Sequence, residues 1–183
     1  MSIDVSIVLV TYNRRKSIER QLVNLERQSW PHDKFELVLV DDGGFDGTFD
    51  CVRKTHTTYP IQYLWQEDVP WGNPRARNLG MRFARGEIIL FNDDDTFFYT
   101  ETIASHVRYH NMIPQAKVMG LVGVCPEGRE EKGYLGENPE MFGLVKKWAN
   151  MLQPWNDSLK SCVAISLFVG LCYSSVTCWR LPI

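Results

Sequence analysis

The chain lacks the features that assign a protein quickly to several large classes. Its 20 basic and 22 acidic residues leave a formal net charge of −2 over 183 residues, which gives no electrostatic case for a nucleic acid polymer or an anionic membrane as partner. Five cysteines occur, Cys51, Cys125, Cys162, Cys172 and Cys178, odd in number and never spaced as CxxC. That pattern reads as free thiols in a reducing compartment rather than a disulfide scaffold. No GxGxxG follows the first strand-like run, and GxxxxGK(S/T), HExxH and GxSxG are absent. With them go the main dinucleotide, P-loop, zincin and hydrolase-elbow signatures. Met1-Ser2-Ile3-Asp4 has no basic n-region and leads straight into a strand-like run, so a cytoplasmic start is expected. Ser161 to Trp179 carries no charge, but Leu, Ile, Val and Phe are a minority among Ser, Thr, Cys and Gly. Buried strand and loop is the expectation there rather than a membrane span.

What remains is an alternation of strand and helix patterns. Val5 to Val10 and Phe35 to Val40 are near-continuous apolar runs with β-branched residues, as in central strands of a parallel sheet. Between them Ile18, Leu22 and Leu25 fall on one face of a helix that ends before Trp30-Pro31. A short helix over Phe49 to Thr55, a third strand over Ile61 to Trp65, a loop over Val69 to Pro74 and a helix over Arg75 to Arg85 are expected next, the last ended by Gly86. No linker or repeat interrupts the first 110 residues. The expected fold is α/β, with residues 1–125 as core and 126–183 as a less regular continuation of the same domain.

The most informative stretch is Ile88-Ile89-Leu90-Phe91-Asn92-Asp93-Asp94-Asp95, a buried-strand pattern ending in three carboxylates. Like charges so close repel unless a cation or protons neutralise them, and oxygen-only ligands suit Mg2+ or Mn2+. The second strand also ends in acids, Asp41-Asp42-Gly43-Gly44, which read equally as a turn. In open α/β sheets ligands bind beyond the carboxyl ends of the strands, so both clusters are expected to face one crevice. Arg75, Arg77 and Arg82 precede the acid-tipped strand. One of them is expected at a phosphate and two in solvent. Glu26 and Arg27 read as an exposed face, and nothing singles out His32, His56, His106 or His110. A calcium loop over Asp42 to Gly47 fails because Gly44 holds a ligand position and Arg53 stands where the bidentate Glu belongs.

Taken in order, Val5 to Asn13, Phe35 to Gly44 followed by Asp46-Gly47-Thr48, Ala76-Arg77-Asn78-Leu79-Gly80, and Ala84-Arg85-Gly86-Glu87 before the acids resemble a family 2 glycosyltransferase. The resemblance implies a GT-A fold, a Rossmann-like, mostly parallel sheet flanked by helices. It also implies a nucleotide-sugar donor, most often a UDP-sugar, with Mn2+ or Mg2+, and an acceptor that is a saccharide, lipid or protein. Thr11, Tyr12, Asn13 and Arg14 would line the nucleotide pocket, Asp42 would bond the base with Asp41 in support, and Arg77 and Asn78 would hold the donor. Asp93, Asp94 and Asp95 cover the Asp-x-Asp motif, with Asp94 at the ribose and Asp93 and Asp95 at the metal. Direct displacement at the anomeric carbon with inversion would follow, and this needs a carboxylate base to take the acceptor's proton.

The family's base follows a Gly-Gly-Phe-Asp-like segment, and neither is found here. Cys178 to Ile183 resembles the stretch just ahead of it. The expectation is therefore a chain with its donor-binding parts and without its base, truncated and inactive alone. Glu127, Glu130, Glu131, Glu137, Glu140 and Asp157 stand in no matching context. The alternatives are a truncated, non-catalytic nucleotide-sugar and metal-binding module, and a nucleotidyltransferase, which lacks its Gly-rich basic loop.

Overall fold

The computed structural model describes residues 2–70, 72–112, 117–120, 163–166 and 176–180. In chain order the elements are β1 (Val5–Thr11), α1 (Arg15–Glu26), β2 (Phe35–Asp41), α2 (Thr48–Lys54), β3 (Ile61–Trp65), α3 (Gly72–Phe83), β4 (Ile88–Asp93), α4 (Thr102–Met112), β5 (Lys117–Gly120), β6 (Val163–Ser166) and β7 (Val176–Arg180). The described strands form one seven-stranded sheet in the order β3-β2-β1-β4-β7-β5-β6. The first four run parallel, β7 is antiparallel to β4 and β5, and β6 is parallel to β5.

Alternation along the strands divides the apolar residues between two faces. Val5, Ile7 and Leu9 of β1, Phe35, Leu37 and Leu39 of β2, and Ile88 and Leu90 of β4 pack with Ile18, Leu22 and Leu25 of α1 and Ile103 and Val107 of α4. On the other face Val8, Val38, Val40, Ile89 and Phe91 pack with Ala76 of α3. Burial on both faces is what made these strands read as unbroken apolar runs. Helix α3 lies close on the sheet because position 80 is glycine, where a Cβ would stand 2.4 Å from Val8 Cγ1.

Several boundaries differ from expectation. Helix α3 begins at Gly72, inside the expected loop, and ends at Phe83 rather than Arg85. Pro74 falls in its first turn, where a missing N–H breaks no intrahelical bond. Helix α2 starts one residue early, and α4 was not foreseen at all. Glu26 is not simply an exposed side chain, because it accepts hydrogen bonds from the Thr58 amide and hydroxyl at 2.7 and 2.8 Å. Among the described residues no helix is long and apolar enough to cross a membrane, and β6 and most of β7 fall within Ser161–Trp179. Residues 121–162, with the acidic segment from Glu127 to Pro139, lie outside the described residues, as do Cys125, Cys162 and Cys172.

Candidate active site

The strand order places β1 between β2 and β4, with β2 and β3 on one side and β4 on the other. The β1/β4 boundary is a topological switch point, so a crevice opens beyond their carboxyl ends. Thr11 of β1 is in register with Asp41 of β2, and Val10 with Asp93 of β4. The acids therefore gather at one rim of the sheet, as the sequence indicated. The two-residue period then separates neighbours. Asp42 and Asp93 turn toward α3, whereas Asp41 and Asp94 turn toward α1 and α2.

Arg77 on α3 donates from Nη2 to Asp93 Oδ1 at 2.7 Å, and its guanidinium carbon lies 6.0 Å from the Phe91 ring centroid. Arg75 and Arg82 are exposed, in keeping with one arginine of three facing the site. On the opposite face Thr11 Oγ1 donates to Asp94 Oδ2 at 3.0 Å, and Arg14 Nη1 donates to Asp94 Oδ1 at 3.0 Å and Asp95 Oδ2 at 3.2 Å. Two arginines thus offset most of the charge of three aspartates. Burial pushes the Asp94 carboxyl above the ordinary aspartate range with Asp95 repulsion adding to it, against the pull of Thr11 and Arg14.

A cation can be held by what remains. Asp94 has both oxygens engaged, but Asp93 and Asp95 each keep one carboxylate oxygen with no hydrogen bond among the described residues. Among those residues no three His, Cys, Asp or Glu side chains converge into a metal cage. Two carboxylates suffice for Mg2+, which completes its shell with water and phosphate oxygens rather than an all-protein set. The donors present fit an ion that arrives with a diphosphate.

Asp42 is buried, and its Oδ1 accepts from Gln66 Nε2 at 2.5 Å. Gly72 closes over it: a Cβ there would lie 2.5 Å from Asp42 Oδ2. Tyr12 is exposed and looks toward Asp68 and Asp42, whose charges raise its phenol above the usual value, Asp68 most. Asn13 adopts a left-handed φ of 52° and accepts from the Phe45 amide through Oδ1 at 2.8 Å. Asp41 is spent on the turn, accepting from the Gly44 amide at 2.7 Å and from the Tyr63 hydroxyl. Asp46 accepts from the Arg15 amide at 2.6 Å and the Thr48 hydroxyl at 2.6 Å, joining the starts of α1 and α2. Asn78 is exposed on α3 with no hydrogen bond to the acids. A separate cavity of about 500 Å³ opens beside β2 and β3 against Asp41, Thr48, Phe49, Tyr63 and Trp65.

Sequence reading missed Ser17, Gln21, Gln66 and Gly72. Gln21 is fully buried on α1 and donates to the Asp94 and Thr96 carbonyls at 3.2 and 2.8 Å. Ser17 donates to the Asp94 carbonyl. Only Gln21 had a signal in the sequence, since it lies one position from Leu22 beside the apolar face.

Comparison with known proteins agrees with this geometry. The family model described as glycosyl transferase family 2 matches residues 6–162. Validoxylamine A glucosyltransferase from Streptomyces hygroscopicus is 34% identical over 145 residues, covering 78% of this chain and 32% of that protein. The poly(ribitol-phosphate) β-N-acetylglucosaminyltransferase TarS of Staphylococcus aureus is 30% identical over 153 residues, 81% of this chain and 26% of that one. The crystal structure of TarS 1-349 with UDP-GlcNAc superposes with a TM-score of 0.62 at 27% identity, over 76% of this chain and 38% of that one. The mannosyltransferase PcManGT from Pyrobaculum calidifontis, in complex with GDP-Man and Mn2+, gives 0.61 at 30% identity, over 68% and 36%. The chain thus spans about a third of the length of these relatives. A parallel β3-β2-β1-β4 sheet flanked by helices, acids gathered at its carboxyl rim and a family model covering most of the residues lead to one assignment: the chain belongs to glycosyl transferase family 2 and has the GT-A fold.

Proposed function

We propose that this chain binds a nucleotide-diphosphate sugar, a UDP-sugar by preference, and serves its transfer with inversion to an acceptor hydroxyl. The observation that carries this reading is the convergence of Thr11, Arg14, Asp42, Arg77 and Asp93–Asp95 at the carboxyl ends of β1, β2 and β4. The UDP-GlcNAc complex of TarS supports the donor class, and the Mn2+ complex of PcManGT supports a divalent ion.

In this proposal Asp42, fixed by Gln66 beneath Gly72, accepts from the nucleobase, with Thr11, Tyr12 and Asn13 around it and Asp41 holding the turn. Asp94, already bonded to Thr11 and Arg14, meets the ribose. Arg77 and Arg14, which bond the acids at the rim, supply the positive charge for the donor's phosphate oxygens, with Asn78 beside Arg77. Asp93 and Asp95 would hold Mn2+ or Mg2+, which would supply Lewis-acid neutralisation of the charge on the leaving diphosphate. Holding the donor in a fixed attitude supplies much of the remaining barrier reduction. Residues 1–125 act as the donor core and 126–183 as the start of the acceptor side. A cytoplasmic site of action belongs to the same proposal.

Calorimetry with UDP-GlcNAc and UDP-glucose in the presence of Mn2+ tests the proposal. Binding is expected, with an affinity loss on the order of tenfold or more in Asp95→Ala. No binding by the wild-type chain, or an unaltered affinity in the variant, rules it out. A second reading is a nucleotide-sugar and metal-binding module without turnover. Sugar transfer by this polypeptide would eliminate that second reading.

A further inference from the structure

We propose that helix α1 positions the metal carboxylates, acting through a line of polar side chains that grip main chain, with Ser17 and Gln21 as the positioning residues. The inference rests on the donor and cation reading above. Ser17, Gln21, Asn24 and Gln28 are spaced by four, three and four residues, which sets them on one edge of the helix and its immediate extension. Each bonds the backbone of the segment that leaves β4. Ser17 Oγ donates to the Asp94 carbonyl at 2.5 Å, and Gln21 Nε2 donates to the carbonyls of Thr96 at 2.8 Å and Asp94 at 3.2 Å. Asn24 exchanges two bonds with Phe98, each of 2.8 Å, and Gln28 Nε2 donates to the Tyr99 carbonyl at 2.9 Å. The segment therefore runs alongside α1, held at four successive points.

The first two points fall on the acids. Thr96 N donates to the Asp93 carbonyl at 3.1 Å, closing a turn with Asp94 and Asp95 at its corners. Bonds to the Asp94 carbonyl fix the peptide plane between those corners, and with it the directions in which their carboxylates leave the chain. Ser17 and Gln21 touch no carboxylate, so the acids stay free for Arg14, Thr11 and a ligand.

Gln21 is also a poor choice for stability alone. It is fully buried beside Ile18, Leu22 and Leu25, where a leucine would extend the apolar face, and its Oε1 has no hydrogen-bond partner. An amide with an unsatisfied oxygen in such a place costs free energy. Its bonds to the acid turn, to the carbonyls of Asp93, Asp94 and Thr96, are what that cost provides, and a site holds its ligand only as well as its supporting residues hold the site.

The test compares Gln21→Met and Ser17→Ala with Gln28→Met. The last removes a buried amide of the same kind from the far end of the line, away from the acids. Mn2+ affinity in the presence of UDP is measured by calorimetry and by electron paramagnetic resonance of the free ion, alongside Tm for each variant. The expected result is a loss on the order of tenfold in Mn2+ affinity for Gln21→Met and a smaller loss for Ser17→Ala. Gln28→Met should shift Tm comparably while keeping wild-type Mn2+ affinity. Unchanged affinity in both Gln21→Met and Ser17→Ala overturns the inference, as does an equal loss in Gln28→Met, which would reveal general loosening. If Gln21→Met fails to fold, Ser17→Ala against Gln28→Met decides it. A wild-type chain that binds neither UDP nor Mn2+ overturns the donor reading itself, a result distinct from either of these.

Discussion

Gly72 shows how one residue can matter through what it leaves out. Its missing side chain makes room for the Asp42 carboxylate, which then accepts from Gln66 in a buried setting. Alanine there would push the carboxylate off that bond. We expect Gly72→Ala to weaken UDP binding about tenfold, the equivalent of losing one hydrogen bond to a charged group. Calorimetry would read the loss, and equal affinity in the variant would separate Asp42 from nucleotide recognition. The family resemblance singled out Asp42, since by residue type alone the acids at the end of β2 read equally as a turn. Gln66 and Gly72 did not stand out, since a glutamine and a glycine near a turn are ordinary until their neighbours are known.

Helix α4 escaped notice for an element-scale reason. Its buried face is Ile103, His106, Val107 and His110, so two of the positions that should betray a helical apolar stripe carry imidazoles. His106 is 2% exposed, and burial, with the neighbouring His110 adding to it, lowers its pKa to about 4. The folded protein thus keeps it neutral while the unfolded chain takes up a proton below about 6.5. Stability contributed by the neutral ring is intact above that value and drains away as pH falls toward 4, by up to about 3 kcal/mol. Urea unfolding at pH 7 and pH 5 should show the decline, and His106→Phe should flatten it. A profile equally steep in the variant would assign the effect elsewhere. Helix α1 carries the opposite lesson. Its apolar face was plain from Ile18, Leu22 and Leu25, whereas nothing in the sequence marked Asn24 and Gln28 as partners of a distant backbone.

At the scale of the molecule, the end of the sheet opposite the acids is tied by a buried carboxylate. Glu36 of β2 accepts from the Ser6 hydroxyl at 2.6 Å, the Arg85 amide at 2.8 Å, the Arg85 guanidinium at 2.5 and 2.8 Å, and Gln62 Nε2 at 2.8 Å. One side chain joins three strands to the segment after α3. Burial alone would raise its pKa, but these bonds win and hold it below the ordinary glutamate value. Its contribution is therefore present above about pH 4.5 and lost as pH falls through the lowered native value. Arg85→Met strands a buried charge and should cost about 2 kcal/mol or more at pH 7, by urea unfolding, with the deficit shrinking in acid as Glu36 protonates. A constant deficit down to pH 3 would show that packing, not charge, is what Arg85 supplies. The sequence by itself determined the first four strands, three of the four helices, the mostly parallel α/β architecture and the rim at which the acids collect. Those follow from local periodicity, because burial on two faces writes itself as an apolar run and burial on one face as a stripe. Only the tertiary structure decided that Asp93 turns to Arg77 while Asp94 turns to Thr11 and Arg14, and that Gln66, Gly72, Ser17 and Gln21 stand behind the acids. Such partners lie between 16 and 83 residues away along the chain, and a hydrogen bond or a close approach across that distance leaves no period for a sequence to display.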